Sequence, residues 1–136
     1  MGLAEKRVVK AFQEGTYKEL ESKILETLGK QIEIEVNWNS LAKDGMSHLY
    51  EEAFPKVYFF PLIKALENIC ADDMGKEAIA ESLNKIVIEH KDNEGNTRAW
   101  SSFSGGVLTL DAAPTTNIDL VSNRAESLQE LLENSL

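Results

Sequence analysis

The chain has 136 residues, of which 43% are hydrophobic, and its 14 lysines and arginines against 23 aspartates and glutamates give a net charge of −9. This length and composition predict a single globular domain, residues 1–136, whose core needs neither a metal nor a disulfide. The negative charge argues against binding to nucleic acids or anionic membranes, because their phosphate groups would repel the protein.

Three further features concern where such a chain would reside. Cys70 is the one cysteine, so no disulfide can form within the chain, which suits a reducing compartment. The opening MGLAEKRVVK lacks the apolar segment of a secretory signal. The longest uninterrupted apolar run has four residues, whereas a membrane span needs about 20. We therefore expect a soluble, cytoplasmic protein.

Two apolar stripes at helical spacing predict two helices before residue 30. Gly15 separates them, unless it only kinks one long helix, and Gly29 ends the second. Thr16 and Glu19 match a capping box at the start of the second helix, in which each side chain would accept a backbone N–H.

The segment QIEIEVNWNS, residues 31–40, alternates apolar and polar side chains and predicts the first strand. The face toward the core would carry Ile32, Ile34, Val36 and Trp38. The opposite face would carry Glu33, Glu35, Asn37 and Asn39. This second face is either a functional surface or only the solvated side of a sheet.

The middle of the chain predicts helices interrupted by prolines. Asp44 and Gly45 indicate a turn, and MSHLYEEAF, residues 46–54, predicts a short helix that Pro55 stops. The next helix is expected from about Pro61 to Cys70 after an extended lead-in. A kinked helix that begins near residue 56 is the alternative.

The last part switches from helix to strands. After a short helix in residues 71–84, with an aspartate near its positive end, three alternating segments predict strands: KIVIEHK, RAWSSFS and VLTLDA. The short loops DNEGNT and GG between them predict an antiparallel meander. A leucine stripe then predicts a final helix, with Asn123 and Glu126 as a capping pair.

Helices and strands are largely segregated along the chain, which favours the α+β class. We expect an antiparallel sheet of about four strands with helices packed on one face and the other face partly solvated.

Motifs for common chemistries are absent from the sequence. His48, His90 and Cys70 lie at no recognised metal-ligand spacing, and the chain has no CxxC, HExxH or glycine-rich phosphate loop. Cys70 follows an apolar helical stripe and is expected to be a core residue rather than a nucleophile. We therefore predict no metal and no cofactor, and the sequence favours a non-enzymatic role.

The leading hypothesis is a small acidic protein-interaction module, comparable in kind to inhibitors and immunity proteins, that binds a basic protein. The expected partner-binding residues lie on the polar face of the sheet: Glu33, Glu35, Asn37, Asn39 and Glu89. Such a module would be a monomer or a weak homodimer, the latter through the leucine stripe of the final helix.

The alternative is a small-molecule-binding domain or an enzyme, with a pocket between the sheet and the helices. The expected lining residues are Trp38, Tyr58, His90 and Trp100. A histidine at the end of a strand could act there as a base. A deep, partly polar cavity would favour this hypothesis, and a solid core would favour the first.

Overall fold

The structure, a computed structural model, describes residues 2–43 and 45–136. The α-helices in these residues are α1 (Leu3–Glu14), α2 (Thr16–Leu28), α3 (Trp38–Leu41), α4 (Tyr50–Phe54), α5 (Phe60–Ile69), α6 (Asp73–Ser82) and α7 (Val121–Ser135). The strands are β1 (Glu33–Val36), β2 (Lys85–Glu89), β3 (Ser101–Ser104) and β4 (Val107–Asp111). The predicted α+β class is confirmed. The predicted turn at residues 44–45 includes Asp44, which lies outside the described residues.

The four strands form one mixed sheet in the order β1-β2-β4-β3. β1 and β2 are parallel, β2 and β4 are parallel, and only β3 and β4 are antiparallel. The prediction of a purely antiparallel sheet is therefore wrong. The hairpin at Gly105–Gly106 is confirmed, since both glycines adopt the positive φ angles, 59° and 81°, that such a tight turn requires.

The predicted three-strand meander is wrong for a physical reason. β4 inserts between β2 and β3, so the loop DNEGNT does not join neighbouring strands. Ile86, Ile88, Leu108 and Leu110 are fully buried, and central positions bury the apolar strands β2 and β4 more completely than an edge could. The serine-rich β3 takes the edge.

The sheet has one buried and one open face. Alternate residues of β2 and β4 are fully buried in the core, and the residues between them are only half-buried. In β1, Ile34 and Val36 pack against the core while Glu33 and Glu35 are exposed. The prediction that these glutamates point away from the core is therefore confirmed.

Residues 50–69 form helical structure throughout, and the predicted stop at Pro55 is wrong. Pro55–Phe59 is a π-helix between α4 and α5. The N–H of Phe60 donates to the carbonyl of Pro55, five residues earlier. This widened turn leads into α5, where Pro61 stands in the first turn and has no N–H to donate to the turn before it. The predicted extended lead-in before Pro61 is also wrong, and the kinked helix was the better alternative.

Local capping differs from the sequence patterns at two helices, α2 and α7. Gly15 precedes α2 without a side-chain cap, and Asn123 lies inside α7, so both predicted capping pairs are wrong. The predicted aspartate at α6 is confirmed, because Asp72 accepts the N–H of Gly75 at 2.7 Å. The predicted strand over residues 31–40 is too long, since β1 is Glu33–Val36 and Trp38 begins α3.

One hydrophobic core joins the helices to the inner face of the sheet. The leucine stripe of α7 contributes to it, since Leu128 and Leu132 are fully buried. These leucines are therefore unavailable as a dimer contact, and the oligomeric state stays a prediction. In the described part of the chain, no helix combines the length and the apolar character that crossing a membrane would require.

Candidate functional site

The open side of the sheet is a surface that no helix of the inner layer covers. By strand register and alternation, the outer sheet face comprises Glu33, Glu35, Lys85, Val87, Glu89, Ser102, Ser104, Val107, Thr109 and Asp111. Four carboxylates and one ammonium group lie on it. Three of the five predicted partner-binding residues, Glu33, Glu35 and Glu89, share this face.

Lys85 organises the glutamates of β1. Its Nζ lies 3.4 Å from Glu33 Oε2 and 3.5 Å from Glu35 Oε1. Partial desolvation lowers the pKa of Lys85, but the attraction of the two carboxylates outweighs it and the pKa is raised. The glutamate side chains remain 64% and 54% exposed, so both are accessible to a partner.

The other two predicted partner-binding residues lie where β1 ends. Asn37 caps α3, and its Oδ1 accepts the N–H of Ser40 at 3.4 Å. Asn39 is exposed within α3 and lines a groove against α1 and α2. The chain leaves the sheet after Val36, so Asn39 does not share the outer sheet face with the glutamates.

His90 follows the carboxyl end of β2, at the same end of the sheet as the end of β1. Its backbone N–H donates to Ser40 Oγ at 3.0 Å, and its Nε2 lies 3.4 Å from Glu94 Oε1. The side chain is 23% exposed. The carboxyl ends of the parallel strands β1 and β2 thus bring His90 beside the start of α3, as parallel strands do with the residues that follow them.

Asp111, at the end of β4, anchors the loop after β2. Its Oδ1 accepts the N–H of Lys91 at 2.8 Å, and its Oδ2 accepts those of Asp92 and Asn93 at 2.9 and 3.2 Å. A carboxylate that binds three successive backbone N–H groups fixes the path of a loop. Sequence reasoning missed this role, because the donors and the acceptor are about 20 positions apart.

We predict that Asp111→Ala lowers the free energy of unfolding by about 1–3 kcal/mol, since it removes three charge-assisted hydrogen bonds that water replaces only in part. Hydrogen exchange at residues 91–93 should accelerate, and mass spectrometry or NMR can measure it. Asp119→Ala is the control, because that side chain is 84% exposed and only pairs with Lys56. Unchanged protection of the loop in Asp111→Ala would contradict the prediction.

Two residues of the predicted pocket, Tyr58 and Trp100, are buried in the core. Tyr58 is fully buried, and its hydroxyl donates to the carbonyl of Ala112. Trp100 is 1% exposed, and its Nε1 donates to the backbone carbonyl of Arg124 at 3.1 Å. Burial raises the pKa of Tyr58 well above its usual range, which favours a neutral, structural phenol.

Among the grooves on the described surface, five are lined by helix and loop residues and by no strand residue. Of the four predicted lining residues, only Trp38 lies in one of these five, a groove of about 470 Å³ that it shares with Asn39. The groove lies on the outside of α1, α2 and α3 rather than between the sheet and the helices.

Two further features bear on chemistry: the grouping of possible metal ligands and the state of the Cys70 thiol. Within residues 2–43 and 45–136, no three His, Cys, Asp or Glu side chains group together as metal ligands would. Burial raises the pKa of the Cys70 thiol, although Lys76 acts in the opposite direction. A raised pKa disfavours the reactive thiolate.

Comparisons with known protein families, with curated proteins and with solved structures find no match for this chain.

Proposed function

We propose that the protein is a non-enzymatic interaction module that binds a basic protein through the outer sheet face. The observation that carries the proposal is the open face itself, on which Glu33, Glu35, Glu89 and Asp111 outnumber the single Lys85. The net charge of the whole chain, −9, is negative like that of the outer sheet face, and it would speed the encounter with a cationic partner.

The shape of the face supports a protein partner. Besides its carboxylates and Lys85, the face carries two serines and three β-branched side chains, namely Val87, Val107 and Thr109. An open sheet face of this kind can contribute to contact with another protein, whereas a small molecule requires a concave site.

Charge reversal at the two glutamates of β1 tests the proposal. A partner is first captured from a source lysate at low and high salt and identified by mass spectrometry, and its affinity is then measured with purified proteins. We expect Glu33→Lys with Glu35→Lys to weaken binding by at least about tenfold, because both carboxylates would become cations beside Lys85. The salt dependence of the affinity should become shallower.

The matched control is Glu77→Lys with Glu81→Lys on α6. Both glutamates are exposed, and the pair makes the same change in net charge away from the sheet. Equal weakening by the two double variants would mean that net charge alone drives binding. Unchanged affinity in the β1 variant would remove the outer sheet face from consideration.

A further inference from the structure

A groove on the helical side of residues 37–39 differs in charge from the rest of this acidic protein. It is lined by Lys6, Val9, Lys10, Gln13, Glu14, Lys18, Trp38 and Asn39. Three lysines face one glutamate there, in a chain with a net charge of −9. Its volume of about 470 Å³ lies within the range of small-molecule sites.

The indole of Trp38 is held in place by other aromatic rings. Its ring centroid lies 5.0 Å from that of Tyr17 and 5.9 Å from that of Phe12, both in edge-to-face geometry. Tyr17 is 5% exposed and Phe12 is fully buried. The indole is itself only half-buried, so a rigid aromatic surface contributes to the groove.

The cations of the groove are available to a ligand. In the described part of the chain, the ammonium groups of Lys6 and Lys18 have no carboxylate partner. Lys10 lies 3.9 Å from Glu14, and both side chains are largely exposed, so this ion pair is weak. Gln13 and Asn39 add amide groups that can donate hydrogen bonds.

We propose that this groove binds a small aromatic anion, whose ring packs against Trp38 while its charged group is held by Lys6, Lys10 and Lys18. The acidic remainder of the chain would repel a polyanion over long range, but it opposes a ligand with one or two charges far less. The proposal uses none of the residues of the outer sheet face, so it stands or fails independently of the proposed function.

The two tryptophans provide the measurement. In ¹⁵N-labelled protein, the indole N–H signal of Trp38 reports on the groove, and that of the buried Trp100 serves as an internal reference. The probe is 1-naphthyl phosphate, titrated to millimolar concentration. We expect a saturable shift of the Trp38 signal alone, with inorganic phosphate and uncharged 1-naphthol each binding about tenfold more weakly.

Charge removal then tests the lysines. Lys6→Gln with Lys18→Gln is expected to weaken binding of the probe by about tenfold. The control, Lys64→Gln with Lys91→Gln, makes the same change in net charge at exposed positions outside this groove and should leave binding unchanged.

Several outcomes would overturn the proposal. They are the absence of a saturable shift of the Trp38 signal, equally tight binding of 1-naphthol, and equal weakening by the control variant. Tighter binding of an acidic peptide than of 1-naphthyl phosphate in the same groove would also overturn it, because the site would then serve a protein segment.

Discussion

Phe12→Ala is expected to lower the free energy of unfolding by about 3–5 kcal/mol. Phe12 is fully buried, and its ring packs edge-to-face against Trp38 and Phe54, at centroid distances of 5.9 and 5.3 Å, and also contacts Phe59. Alanine would leave a cavity where α1, α3 and the helical segment of residues 50–69 meet. Chemical denaturation, followed by circular dichroism, measures the loss.

The control is Phe60→Ala, the same change at a side chain that is 46% exposed. It should cost less than about 1 kcal/mol, because little buried volume is lost. Since Phe12 supports Trp38, Phe12→Ala should also shift the indole signal of Trp38 in the folded protein. A cost for Phe12→Ala no larger than that of the control would contradict this account of the core.

Arg124→Ala is expected to lower the free energy of unfolding by a similar amount, about 3–5 kcal/mol. Arg124 is fully buried on α7. Its Nη1 donates to the carbonyl of Asn117 at 2.7 Å and its Nη2 to that of Thr116 at 2.9 Å. The guanidinium thus fastens the connector between β4 and α7, and alanine would remove both bonds and leave a cavity.

Arg124→Lys distinguishes the contribution of the guanidinium hydrogen bonds from that of the buried side-chain volume. Lysine keeps the charge and most of the aliphatic stem, but one ammonium group cannot reproduce the planar fork that bonds both carbonyls. We expect a smaller loss of stability, with faster hydrogen exchange in residues 116–120. Denaturation of both variants measures this, and equal stability of Arg124→Ala and the unaltered protein would show that the guanidinium is not needed.

The energetics of Arg124 are unusual for a buried cation. Burial lowers its pKa, while the nearby Tyr58 acts in the opposite direction. In the described residues its partners are backbone carbonyls rather than a carboxylate, and its Nε has no hydrogen-bond partner. The side chain therefore bears a desolvation cost, which its two hydrogen bonds to the connector and the packing of its stem offset.

The two proposals concern separate sets of residues. The outer sheet face has a surplus of carboxylates, and the groove of Trp38 has a surplus of lysines. The chain turns from β1 into α3 at this point, which separates Asn39 from Glu33 and Glu35. A protein partner and a small ligand could therefore occupy the molecule at the same time.

The sequence by itself determined the features that depend on local periodicity. Side-chain alternation predicted the exposure of Glu33 and Glu35, which β1 confirms, whereas Asn37 and Asn39 are exposed at the cap and within α3 rather than on a strand. A period of two places alternate residues on opposite faces, whatever the rest of the chain does. The Gly105–Gly106 hairpin was likewise predictable, because glycine adopts positive φ without strain.

Only the tertiary structure decided which strands pair, how residues 50–69 fold and which residues form a site. β4 lies between β2 and β3 because its apolar residues are best buried at the centre of the sheet. Pro55 and Pro61 are accommodated in continuous helical structure because the surrounding apolar residues are buried together. Local propensity disfavours such a helix, and the burial of many side chains outweighs it.

The candidate sites depend on the same long-range choices. Trp38 meets Lys6 and Lys18 only because α1, α2 and α3 pack together, and Arg124 finds its acceptors in a connector with no regular pattern. Periodicity reports which face of an element is buried, but it does not report which distant element covers that face. Packing of the whole chain makes that choice, because the free energy of burial is shared among residues far apart in sequence.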